Sequence, residues 1–178
     1  MTQTFKEVFT LGHSTRNEEE FLEILRHFGI ELVVDVRTLP GSRRFPHFDQ
    51  EQLCKTLEAQ GIGYFHAKNL GGLRKTVPGS SLNDAWRNKS FRAYADYMQQ
   101  AEFKEGVDML VEAARTRTLV LMCAEAVPWR CHRSLIADAL LARGLHVTEI
   151  FSVSNARPHK LTSFAVLDGQ SVTYPAPE

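Results

Sequence analysis

Hydrophobic positions along the chain alternate between two patterns. Short β-branched or aromatic runs suit buried strands, and longer stretches with apolar residues three and four apart suit amphipathic helices. Glu7–Leu11 (EVFTL) reads as a first strand, and Phe21, Ile24, Leu25 and Phe28 as one face of the helix after it. Thr15 with Glu18 fits a capping box, and Gly29 closes the helix. Leu32–Val36 (LVVDV) is the second strand, and Asp49 caps a short helix bearing Leu53, Cys54 and Leu57 that ends at Gly61. Ile62–His66 is a third strand, followed by an irregular segment to about Asn88. Two helices follow, marked by Phe91, Tyr94, Ala95 and Met98, then by Phe103, Val107, Leu110, Val111 and Ala114. Leu119–Met122 is an apolar run of the kind a central parallel strand needs, and the helix after it carries Leu135, Ile136, Ala139 and Leu140 up to Gly144. A fifth strand lies near His146–Phe151, and Asp168-Gly169 turns a hairpin between Phe164–Leu167 and Ser171–Tyr174.

Strand–helix alternation with connections of this length predicts an α/β fold: a single domain over 1–178 with a mostly parallel sheet flanked by helices and right-handed crossovers. Parallel strands send all their exits to one edge. The turns GHST, DVR, HAKNLGG and CAEAVPWRCHR therefore converge, and the site is expected at the C-terminal strand edge.

Composition narrows the partners. Formal net charge is zero over 178 residues, so whole-molecule electrostatics predict no general attraction to nucleic acid or anionic membrane; only local basic patches leave nucleic acid open as a partner. No apolar run approaches the length of a membrane span, and the N-terminus lacks a signal peptide's core. Three cysteines without a secretory signal point to free thiols in the cytoplasm.

The chemistry-bearing residues sit on the strand exits. Glu125, just beyond a buried strand, is a candidate general acid/base or an ion-pair partner for Arg130, Arg133 or Arg37. Asp35 orients His13 or Arg37, or binds a hydroxyl; His13 and Ser14 precede a helix start suited to an anion, and His132 is an acid/base or a structural histidine. Seven cations, Arg37, Arg43, Arg44, Lys68, Arg74, Arg130 and Arg133, line the same exits, and Gly71-Gly72 allows close backbone approach. Neither a dinucleotide fingerprint nor a Walker loop is present. Cys123 and Cys131 are too far apart for C-x-x-C chemistry. Cys131 nonetheless lies at a helix start between Arg130 and Arg133, which would lower its pKa. The phosphatase pattern of Cys, five residues, then Arg is absent, since six separate Cys123 from Arg130.

The blocks TLGHST (10–15), VDVRTLPGSRRFPHF (34–48), LGGLR (70–74), FRAYADYM (91–98) and LMCAEAVPWRCHR (121–133) together resemble the family known as domain of unknown function 488, over about Val8 to Phe151. Val127-Pro128-Trp129 fills a stretch where that family varies. The resemblance implies an intracellular, single-domain α/β protein whose polar motifs line one pocket, and no established reaction.

These residues predict a hydrolase or group transferase acting on a phosphate-bearing, nucleotide-like or nucleic-acid-derived substrate, with no dinucleotide cofactor and no metal assigned. Ser14, Arg37, Arg43, Lys68, Gly71, Gly72, Arg130, Cys131 and Arg133 would hold the ligand; Glu125 would act as acid/base, assisted by His13, Asp35 or His132. The segments Pro40–Asp49 and Gly71–Asn88 would close as lids. Two rival readings stand beside it: a non-catalytic nucleotide or nucleic-acid binding module, and a thiol or metal protein built on Cys123 and Cys131.

Overall fold

Why the polar turns meet is a matter of strand order. The computed structural model describes residues 4–177. In it β1 (Val8–Gly12) leads into α1 (Glu18–His27), and β2 (Leu32–Asp35) into α2 (Gln50–Ala59). Then β3 (Gly63–His66) leads through a long connection to α3 (Lys89–Tyr97) and α4 (Ala101–Ala114), and β4 (Leu119–Cys123) into α5 (Arg133–Ala142). The chain ends with β5 (Val147–Ser152), β6 (Asn155–Pro158) and a hairpin of β7 (Val166–Asp168) and β8 (Ser171–Thr173). The main sheet runs β3-β2-β4-β1-β5-β6, parallel except for β6. No helix among the described residues is long and apolar enough to cross a membrane.

Side chains alternate across each strand, so the sheet divides its apolar residues between two cores. Phe9, Leu11, Val33, Val120 and Met122 pack with Phe21, Leu25, Leu53 and Leu57 of α1 and α2. Val8, Val34, Leu119 and Leu121 pack on the other face with Tyr94, Val107, Leu110, Leu135 and Ile136 of α3, α4 and α5. Adjacent strands β1 and β4 therefore feed helices on opposite faces, and a crevice opens between their exits.

Several local expectations are revised. The cap of α1 is Asn17, whose side chain accepts from the Glu20 amide at 2.8 Å, not a Thr15–Glu18 box. Residues 13–16 form a turn instead, with the Arg16 amide on the His13 carbonyl and Ser14 left-handed at φ 49°. Asp49 stands at the start of α2, but its carboxylate accepts from the Ser42 amide and closes the preceding loop. The irregular segment before Asn88 is tied down: buried Asp96 accepts from the Asn83 side chain at 2.7 Å, and Arg74 lies over the Tyr97 ring at 3.6 Å. β6, missed in the sequence because its residues are exposed and it ends in Pro158, pairs antiparallel with β5 at the sheet edge.

Candidate functional site

The exits of β1, β2 and β4 surround a cavity of about 700 Å³. Gly12 explains how closely they approach: a Cβ there would lie 1.7 Å from the Glu125 carbonyl oxygen, so only glycine lets the two exits touch. His13, Ser14, Arg37, Gly72, Cys123, Glu125, Arg130, Cys131 and His132 all reach the wall, with Leu39, Phe45, Leu73 and Phe91 as its apolar part.

At its floor two buried thiols meet. Cys131 Sγ and Cys123 Sγ are 2.9 Å apart. The Arg133 guanidinium donates from Nη1 to Cys123 Sγ at 2.7 Å, and the Arg133 backbone amide points at Cys131 Sγ at 3.4 Å. His132 Nε2 lies 2.8 Å from the Val36 carbonyl oxygen, which only accepts, so Nε2 carries the proton. That leaves Nδ1, 3.6 Å from Cys131 Sγ, free to take one. The hydrogen bond from Cys123 outweighs burial and, with His132 and Arg133, holds Cys131 well below the ordinary thiol pKa; burial and the neighbouring Cys131 charge push Cys123 up. The pair thus releases one proton readily and keeps the other.

Arg133 gives a second reason for that charge. It is 1% exposed, and a guanidinium keeps its proton in proteins. Its other bonds go to the Glu125 and Ala126 carbonyls, its Nε has no partner, and no carboxylate pairs with it among the described residues. A buried charge requires a counter-charge. Cys123 is the side chain that accepts from the Arg133 guanidinium.

Most cations predicted to gather at this edge are otherwise engaged or lie elsewhere. Arg37 is buried with Asp35, which takes its Nε at 2.9 Å and Nη2 at 2.7 Å; these bonds outweigh burial and raise the guanidinium pKa. Asp35 also accepts from Tyr64 at 2.5 Å and lies outside the cavity lining, so it orients Arg37. Arg43 and Lys68 are exposed and do not line the cavity, nor does Gly71, which packs on Thr38. Gly72 lies against the His132 ring. Arg130 and Glu125 remain exposed at the mouth. His13 is stacked on Phe48 and hydrogen-bonded to the Ser14 carbonyl; burial pushes its pKa down to about 4, so it is neutral at pH 7. Among the described residues no group of three or more His, Cys, Asp or Glu side chains is arranged to hold a metal.

Two residues beside His132 and Arg133 escaped the sequence reading. The Tyr94 ring of α3 lies tilted against His132, their centroids 5.1 Å apart, yet its helical spacing marks only a core residue. Arg16 donates to the Phe151 carbonyl at 2.7 Å and adds a second cation near Arg133, visible in sequence only as a helix-flanking charge.

No curated protein and no solved structure matches the chain. A family model does, across residues 17–140, which takes in Arg37, both thiols and His132 and leaves β1 and the carboxyl-terminal hairpin outside. The chain belongs to the family described as Domain of unknown function DUF488.

Proposed function

We propose that the protein is an enzyme whose nucleophile is the Cys131 thiolate, acting on a small, partly apolar substrate in the cavity. The observation that carries this reading is the sulfur pair on the cavity floor beside a buried guanidinium without a carboxylate. His132 Nδ1 receives the thiol proton, and the first turn of α5 and Arg133 hold the resulting charge. Arg37, fixed by Asp35, and neutral His13 shape the opposite wall.

The test is alkylation of the reduced protein with iodoacetamide followed by peptide mapping. At pH 6.5 only about 1% of an ordinary thiol is ionised, so an ionised Cys131 should label roughly tenfold faster than free cysteine even after its lower nucleophilicity is counted. Cys131→Ser should abolish fast labelling. Slow labelling of Cys131, no faster than that of half-exposed Cys54, overturns the assignment.

A second reading is favoured by Glu125 and Arg130 standing together at the mouth. There they would engage a phosphate-bearing substrate, with Glu125 as acid/base. Under it, phosphorylated compounds raise the melting temperature and Glu125→Gln abolishes turnover while binding persists; under the thiolate reading Glu125→Gln leaves Cys131 labelling intact.

A further inference from the structure

A one-thiol mechanism uses Cys123 only as a hydrogen-bond partner of Cys131, yet its sulfur touches Cys131 and receives the Arg133 hydrogen bond. We infer that Cys123 is the resolving thiol of a two-cysteine cycle in which Cys131 reduces an organic hydroperoxide, an inference that rests on Cys131 being the nucleophile.

The cycle balances with groups already in place. Cys131 gives its proton to His132 Nδ1, and the sulfur attacks the terminal peroxide oxygen. The O–O bond breaks, the alkoxide leaves with the proton from His132, and Cys131 becomes a sulfenic acid while the hydroperoxide is reduced to an alcohol. Cys123 then attacks the sulfenic sulfur; an S–S bond forms, and the hydroxyl departs with the Cys123 proton as water. Two molecules of a low-mass thiol reduce the bridge and leave as their own disulfide. The cavity gives that thiol access to Cys131.

Two features select a hydroperoxide as the oxidant. A bridge carries no charge, so closing it deprives buried Arg133 of its counter-charge and stabilises the dithiol relative to the disulfide. Such a pair has a high reduction potential, and a small disulfide oxidises it poorly, whereas cleavage of an O–O bond drives the step. Leu39, Phe45, Leu73 and Phe91 provide apolar surface for an organic substituent. The groups that face Cys131 are Cys123 from β4, His132 just before α5, Arg133 at its start and Tyr94 from α3, with Glu125 and Arg130 farther out at the mouth.

The experiment adds one equivalent of cumene hydroperoxide to the fully reduced protein at pH 6.5, quenches with an alkylating agent, and reads intact mass and peptide maps. The expected product is a Cys123–Cys131 bridge, two hydrogens lighter, with Cys54 still alkylated. It should form roughly tenfold or more faster than free cysteine is oxidised, the advantage of an ionised thiol at this pH. Cys123→Ser, or Cys123→Ala if serine perturbs folding, should halt at a Cys131 sulfenic acid that dimedone traps. The same bridge should form more slowly with glutathione disulfide. Absence of a bridge in the native protein, or bridging no faster than free cysteine, overturns the cycle. If iodoacetamide still labels Cys131 rapidly in that case, the nucleophile assignment survives and only the peroxide cycle falls; if labelling is slow as well, both fall.

Discussion

Single residues decide whether the site exists. Gly12 is the clearest case: a methyl group there meets the Glu125 carbonyl, a backbone atom that cannot swing aside. Gly12→Ala should therefore cost roughly 3–5 kcal/mol, at the upper end of point substitutions, and disorder the thiol floor. Gly41→Ala is the matched control, since its nearest neighbour would be Asp49 Oδ1 at 3.6 Å; urea denaturation of both variants measures the contrast. At this scale the sequence disclosed which polar residues occupy strand exits, and His13, Arg37, Glu125, Arg130 and His132 do reach one cavity. It could not disclose who pairs with whom. The sequence leaves Asp35 with His13, Arg37 or a hydroxyl as partner; its carboxylate wraps the Arg37 guanidinium, so Arg37 is not a free cation for a ligand. Cys123 and Cys131, eight positions apart, looked unlike a redox pair because a C-x-x-C rule assumes both thiols on one turn, whereas here one ends a strand and the other precedes a helix.

Elements are fastened by buried charge as well as by apolar packing. His159, beyond β6, sits between Glu149 of β5 at 3.0 Å and Asp138 of α5 at 2.8 Å. Burial disfavours its charge, but the two carboxylates outweigh burial and raise its pKa to about 9. His159 and Arg157 hold Glu149 below its ordinary range despite burial. The imidazolium thus stabilises the fold fully below its unfolded pKa of 6.5, and that contribution fades as pH climbs through about 9. The Glu149 contribution is present above 4.5 and disappears in acid. Melting temperature should therefore peak between those limits and fall on the alkaline side by the equivalent of about 3 kcal/mol at most. His159→Gln should flatten the alkaline limb; an unchanged slope would remove this account. The helices and parallel strands were legible from periodicity because their faces are cleanly divided. β6 was not, since an exposed edge strand leaves no alternation to read.

For the whole molecule, the edge at which the site forms follows from topology that alternation of strands and helices already implies. What alternation does not give is strand order, and strand order makes β1 and β4 neighbours and places the crevice between them. The carboxyl-terminal segment has a further bearing on that crevice. Tyr174 is fully buried, and its hydroxyl donates to Asp138 at 2.8 Å, midway along the helix whose first turn faces Cys131. The same carboxylate accepts from the Thr162 hydroxyl and from His159. Tyr174→Phe removes one bond to a buried charge and should lower stability by about 1–3 kcal/mol, read as a shifted urea midpoint at constant slope. The tail thereby acts as a splint along α5. Loosening it should quicken amide exchange throughout that helix and let the sulfurs drift apart, so that residues with no contact to any substrate set how tightly the reactive pair is held.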